Sequence, residues 1–241
     1  MKFELRYRQY NEKSILIEWP AKISEKTLKD QLYYKKNIEK YCDKLIVEVI
    51  LSYNSMLICY MSTIEDVYSE VLVLRSLYDD SSSLGVSKKR LWKIPVCYSA
   101  SLAPDLESFA ETKSLSVDQV IQLHTGNVYT VFFLGFLPGF CYLGGLDEKL
   151  FLDRKKSPSL TVEKGAVAIG GSQTGIYPQD SPGGWHVIGK SPLSFFDVKK
   201  ENPVFVRCGD CIQFVSIEEK IYNDISAKVE MNNFDLNPNF L

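Results

Sequence analysis

Eleven of the chain's 14 glycines fall between Gly135 and Gly189, and Phe136, Phe140, Tyr142, Tyr177 and Trp185 sit among them. Glycine weakens helices and strands alike, so this density demands tight turns or close approach of backbone to something else. Pro138, Pro178 and Pro182 fix φ beside these glycines. Flexible linkers lack such large flat side chains. The two runs FFLGFLPGFCYLGGLD (Phe132 to Asp147) and GAVAIGGSQTGIYPQDSPGGWHVIGKSP (Gly165 to Pro192) are therefore expected to be shaped loops around a site.

A chain of 241 residues suits one large domain or two small ones. It is 45% hydrophobic and 24% charged, an ordinary globular composition. A formal net charge of −2, with no basic cluster interleaved with aromatics, argues against a nucleic-acid partner. The charged start MKFELRYRQY does not read as a signal peptide, and no run of 18 apolar residues predicts a membrane span. The expected location is the cytoplasm. Of the six cysteines, only Cys208 and Cys211 form a C-x-x-C. It lacks the second ligand pair that zinc needs, so no metal is expected. CGDC between PVFVR and IQFVSI reads as a hairpin turn.

The first ~90 residues alternate strand and helix patterns. Phe3 to Arg8 and Ser14 to Trp19 predict two strands, and Ser24 caps a helix to about Tyr41. Leu45 to Leu51 and Met56 to Tyr60 predict two more strands. Thr63 and Asp66 precede a second helix striped by Val67, Val71, Leu74 and Tyr78. The order β-β-α-β-β-α suggests a ferredoxin-like α+β sandwich over residues 1–88. Asp79 to Ser83 is a linker candidate. A second domain, 89–230, opens with a strand from Leu91 to Tyr98. Pro104 starts one short helix, and the Ser116-x-x-Gln119 capping box starts another that ends at Gly126. From Val128 on, short β segments predict a closed or sandwiched β domain. Residues 231–241 form a tail expected to fray.

One motif match fails on its own chemistry. Gly184 to Ser191 spells G-x-x-x-x-G-K-S, but Trp185, His186, Val187 and Ile188 are bulky and strand-like. A phosphate loop needs small residues between a strand and a helix. His124 lies in the last turn of a predicted helix, where it either favours the helix dipole or serves as a general base. Gln173 offers both a donor and an acceptor, for a ligand amide or for its own loop. Arg154 suits a bidentate carboxylate clamp or a surface ion pair.

The glycine-aromatic runs resemble the allophanate hydrolase subunit 1 / KipI family, which takes in the B subunits of 5-oxoprolinases. The likeness extends to IPVCYSASLAPDLESFAETKSLSVDQVIQLHT (Ile94 to Thr125) and to YNSMLICY in the first domain. The resemblance implies an N-terminal α+β domain and a mainly β, cyclophilin-like C-terminal barrel. It implies partners, a KipA-like subunit 2 and a homologue of the 5-oxoprolinase A subunit. Together these would form a complex that hydrolyses 5-oxoproline to glutamate with ATP, although no ATP site is placed in this chain. Two alternatives follow from the same family: an inhibitor that binds a histidine kinase, and a component of an allophanate or urea carboxylase assembly. Departures from the family pattern fall at Asp153-Arg154, where Pro-Arg is usual, at Ser159 in place of an arginine, and at Gly189-Lys190-Ser191-Pro192 in place of G-R-T-P. Lysine does not reproduce bidentate anion recognition, so these positions bear on the particular substrate. On this reading His124 and Gln173 are the expected catalytic residues. The expected small-molecule site is lined by Phe136, Pro138, Gly139, Phe140, Tyr142, Arg154, Thr174, Tyr177, Ser181, Gly183, Gly184 and Trp185.

Overall fold

The computed structural model describes residues 2–42, 44–79 and 89–240. The chain divides into two compact units, Met1–Ser87 and Lys88–Leu241. Of the expected linker, Asp79 ends a helix and residues 80–83 lie outside the described residues.

The first unit is an antiparallel sheet of β1 (Arg6–Asn11), β2 (Ser14–Glu18), β3 (Ile46–Leu51) and β4 (Ser55–Tyr60), in the order β1-β2-β4-β3. Helices α1 (Glu25–Tyr41) and α2 (Val67–Asp79) complete it. Ser24 caps α1 by accepting the Thr27 N–H at 3.1 Å. Its apolar face buries Leu28, Tyr34 and Ile38, and the Tyr34 hydroxyl donates to the Leu74 carbonyl at 2.6 Å. The α+β expectation matches this architecture, but the β-α-β-β-α-β order of a ferredoxin-like chain does not. The chain enters on the β1–β2 hairpin and leaves on a helix. β1 also begins later than Phe3. The apolar side chain of Phe3 mimics a strand residue, yet its N–H donates to the Tyr78 hydroxyl, while the Asn11 side chain accepts the Lys13 N–H to close the hairpin.

The second unit contains β5 (Arg90–Cys97), α3 (Leu106–Thr112), α4 (Val117–Thr125), β6 (Tyr129–Leu134), β7 (Cys141–Gly144), β8 (Ser159–Val162), β9 (Ala166–Gly170), β10 (Gln173–Ile176), β11 (Ser181–Gly183), β12 (His186–Lys190), β13 (Cys211–Ile217), α5 (Glu219–Glu230) and β14 (Asn239–Phe240). Seven strands close into a barrel in the order β12-β9-β10-β7-β6-β13-β5, sealed where Lys190 on β12 pairs with Cys97 on β5. β5 and β13 run parallel over seven residue pairs. β8 and β11 form a separate ribbon outside the barrel. The capping box of α4 forms as its sequence predicts, with Ser116 and Gln119 satisfying each other's backbone N–H.

Three expectations need correction here. The tail does not simply fray: Phe234 and Leu236 pack against the core, and Asn239–Phe240 pair with β5. α5 interrupts the expected run of β segments, and Ile225 and Val229, four residues apart, dock on the barrel core. CGDC is not a hairpin turn, because residues 203–207 form no strand. The turn is instead organised by Asp210, a buried carboxylate that accepts from Arg90 Nε at 2.9 Å, Trp92 Nε1 at 2.9 Å and the Arg207 N–H at 2.8 Å. No cysteine forms a disulfide among the described residues.

Asp210 therefore ties β5 to the entry of β13. Asp210→Ala leaves the Arg90 guanidinium and the Trp92 indole without their acceptor and should destabilise the second unit by on the order of 3 kcal/mol. Urea denaturation checks this, and a midpoint equal to that of the unsubstituted chain contradicts it.

Candidate functional site

The glycine-aromatic runs meet on the face of the β9-β10-β7 wall opposite the barrel core, and the glycines are where the rings fit. A Cβ at Gly170 would lie 2.5 Å from Trp185 Cδ1, and one at Gly175 would lie 3.0 Å from the Phe140 ring. The Tyr177 hydroxyl fills the equivalent space at Gly183. Phe140 is the centre of the cluster. Its ring meets those of Phe136, Tyr177 and Trp185 edge-to-face at centroid distances of 5.6, 5.2 and 5.5 Å, and Tyr142 tilts against it at 4.9 Å. Such pairs contribute about 0.5–1.5 kcal/mol each beyond area burial.

The loop between β6 and β7 holds Phe140 in place. Leu137-Pro138-Gly139-Phe140 has the pattern of a type II turn. Proline precedes a glycine at φ +84°, and the Phe140 N–H donates to the Leu137 carbonyl at 3.0 Å. Just before it, the Leu137 N–H donates to the Gly135 carbonyl at 2.9 Å, a γ-turn centred on Phe136.

These rings wall a cleft of about 270 Å³ lined by Phe136, Phe140, Tyr142, Arg154, Pro158, Tyr177, Pro182, Gly183, Gly184 and Trp185. Arg154 is the only formally charged residue in that lining. Its guanidinium lies over the Trp185 ring, 5.7 Å from the centroid, and pairs with no acid among the described residues. Hydrogen bonds on both sides fix the backbone that carries it. Leu152 and Gly171 exchange hydrogen bonds at 3.1 and 2.7 Å, and the Lys155 N–H donates to the Gly184 carbonyl at 2.7 Å. His186 Nε2 donates to the Asp153 carbonyl at 2.9 Å. Lys155 Nζ pairs with Asp105 at 2.6 Å, and the same carboxylate accepts the Val187 N–H at 2.7 Å. Asp105 thus leaves the start of α3 without a side-chain cap in order to brace this rim. Burial raises the pKa of the Tyr142 and Tyr177 hydroxyls, against the pull of nearby Arg154, so both stay neutral donors.

Eight of the expected binding residues line this cleft: Phe136, Phe140, Tyr142, Arg154, Tyr177, Gly183, Gly184 and Trp185. Pro158 and Pro182 join them. Neither was among the expected residues, because a proline in an irregular segment reads as a turn former. Pro138 and Gly139 stand in the flanking turn, and Ser181 opens β11. Gly139 packs on the Phe195 carbonyl, and the Ser181 hydroxyl donates to the Pro182 carbonyl. Gln173 lies on β10 opposite Gly170 and is not part of the lining. Asp105, Lys155 and His186 brace the site, and their spacing in sequence carries no sign of it.

The structure does not bring His124 or Thr174 to the cleft. His124 is fully buried in the barrel core, stacked on Phe214 at 4.5 Å. The Thr174 hydroxyl donates to the Ala168 carbonyl at 3.1 Å, so His124 Nε2 donates to Thr174 Oγ1 at 3.0 Å. Nδ1 then accepts from the Tyr98 hydroxyl at 2.8 Å. This chain satisfies every polar atom of the neutral ring, and burial pushes the imidazole pKa down to about 3. A ring so placed exchanges no proton with a ligand in the cleft. The literal phosphate-loop match is strand β12 with its flanks, and no turn cradles an anion there.

The neutrality of His124 has a pH signature. The unfolded imidazole binds a proton below its ordinary value of about 6.5, while the folded one does not until about 3. Its contribution to stability is whole above pH ~6.5 and is lost as pH falls toward 3, at up to about 1.4 kcal/mol per pH unit. Urea midpoints at pH 7 and pH 5 should differ less in His124→Gln than in the unsubstituted chain. Equal differences contradict the assignment.

Residues 5–206 match the family model described as carboxyltransferase domain, subdomain C and D. The chain is 45% identical over 135 residues to the 5-oxoprolinase B subunit of Bacillus subtilis (strain 168), an alignment covering 56% of each chain. To the 5-oxoprolinase B subunit of Escherichia coli O157:H7 it is 39% identical over 176 residues, 73% of this chain and 80% of that one. The matched region thus spans little more than half the length of the Bacillus relative. Its fold is similar to part of the urea carboxylase of Kluyveromyces lactis, with a TM-score of 0.81 at 18% identity, covering 99% of this chain and 24% of that one. The family match runs through both units, and the chain belongs to the carboxyltransferase subdomain C and D family together with the 5-oxoprolinase B subunits.

Proposed function

We propose that this chain is the B-type component of an ATP-dependent 5-oxoprolinase, and that the aromatic cleft binds 5-oxoproline. The observation that carries the reading is Arg154: a guanidinium with no acid beside it among the described residues, laid on Trp185 at the edge of an aromatic cleft. A small carboxylate would take the guanidinium. The ring of the substrate would lie between Phe140, Trp185 and Phe136. The names of the relatives support the substrate and the existence of partner subunits.

The lining contains no carboxylate, histidine or cysteine, so the cleft binds and orients rather than supplies a general base. Nor do these residues fit ATP, since one guanidinium faces the demand of three phosphates and β12 cannot act as a phosphate loop. In this reading ATP and the hydrolytic step belong to the partners, a KipA-like subunit 2 and a homologue of the 5-oxoprolinase A subunit. This chain presents the substrate to them.

Arg154→Ala should weaken 5-oxoproline binding by roughly 10- to 100-fold, the worth of a charge-assisted hydrogen bond of about 1.5–3 kcal/mol. Arg154→Lys should lose part of that affinity, because an ammonium does not grip a carboxylate bidentately. Calorimetric titration measures both, followed by 5-oxoproline-dependent ATPase activity in the complex reconstituted from all three subunits. Equal affinity in Arg154→Ala contradicts the assignment.

A further inference from the structure

Phe136 is the one aromatic of the cleft that the fold leaves out in the open. It is 62% exposed, whereas Phe140 beneath it is 2% exposed. Its backbone has φ +68°, a conformation that bulky side chains avoid. The cause is the γ-turn that links the Leu137 N–H to the Gly135 carbonyl. In the chain's other tight turn of this loop a glycine, Gly139, takes the positive φ. Position 136 keeps a phenylalanine instead, at a cost in backbone strain and in apolar surface facing water. Among the described residues its one ring contact is edge-on with Phe140, a small return for either cost. A ligand in the cleft would reward both, because its uncharged face would bury the ring.

The rest of the lining sets what that ligand can be. Arg154 matches one carboxylate. No acidic side chain lines the cleft to receive an ammonium group, and no second cation receives a second carboxylate. A second carboxylate laid against the negative faces of these rings, with no cation to pair it, is strongly unfavourable. The geometry points to Phe136 as a specificity-determining cap that selects small monocarboxylates with a flat, uncharged body against multiply charged open-chain ones. This inference rests on the cleft being the 5-oxoproline site, and it adds a consequence. Opening the lactam creates an ammonium and a second carboxylate, so the product glutamate is rejected by the same walls that hold the substrate.

The test is calorimetric titration of the full chain with three probes: 5-oxoproline, cyclopentanecarboxylate and L-glutamate. The unsubstituted chain should bind the two cyclic monocarboxylates at least about tenfold more tightly than glutamate, as expected when a buried charge is left unpaired. Phe136→Ala should weaken the cyclic ligands by roughly fivefold or more while leaving glutamate unchanged, so that the preference shrinks. Phe136→Gly should lose the same affinity yet melt about 2–4 °C above Phe136→Ala, because glycine relieves the positive φ. A preference unchanged in Phe136→Ala overturns the cap, and so does a Phe136→Gly variant that melts no higher than Phe136→Ala. If the unsubstituted chain binds neither cyclic probe, the cleft is not the 5-oxoproline site and the cap falls with it. If it binds both and only the Phe136 variants disagree, the cap alone is overturned.

Discussion

The cleft depends on the contact between aromatic rings and bare glycine backbone on the β9-β10-β7 wall. Phe140 is seated against Gly175, and Trp185 against Gly170. Any side chain at these glycines would occupy the space of a ring. Displacing a ring by even an ångström would disturb the edge-to-face contacts that Phe140 makes with Tyr177 and Trp185. Trp185 in turn supplies the face on which Arg154 rests. Packing, cleft shape and the placement of the one charge are therefore a single arrangement. That is why glycines and aromatics crowd into the same stretch of sequence.

Around this arrangement the second unit separates stability from recognition. His124 and Asp210 are its buried titratable anchors, and both spend all their polar capacity inside the fold. The cleft, by contrast, keeps a guanidinium without an acid and an exposed, strained phenylalanine. The exposed ring is unfavourable in the isolated chain, and one ligand chemistry would use both groups: a carboxylate attached to a flat neutral ring. Asp105, Lys155 and His186 brace the backbone that carries Arg154.

Much of this was legible in the sequence, for definite reasons. Local signals with a mechanism held: the Ser24 and Ser116 caps, the strand character of His186 to Lys190, and the aromatic lining of the loops. Signals that depend on three-dimensional partners misled or were silent. His124 looks like a catalytic candidate because an isolated histidine says nothing of Tyr98 and Thr174, which are distant in sequence and saturate both its nitrogens. Asp105 carries no sequence signal at all, because Val187 and Lys155 claim its carboxylate from far along the chain. CGDC looks like a hairpin because PVFVR alternates, while the fold uses Asp210 to hold an irregular turn. The order β-β-α-β-β-α of the first unit is the one periodicity gives, whereas the sheet order β1-β2-β4-β3 depends on pairing between strands, which periodicity does not record.

The most direct measurement follows the three tryptophan indoles by two-dimensional NMR during titration with 5-oxoproline. Trp19 Nε1 is bonded to Asp30 and Trp92 Nε1 to Asp210, whereas Trp185 lines the cleft. The predicted result is a saturable shift of the Trp185 indole resonance, with Trp19 and Trp92 unmoved. No shift at Trp185 under saturating ligand, or a shift confined to Trp19 or Trp92, would contradict the account.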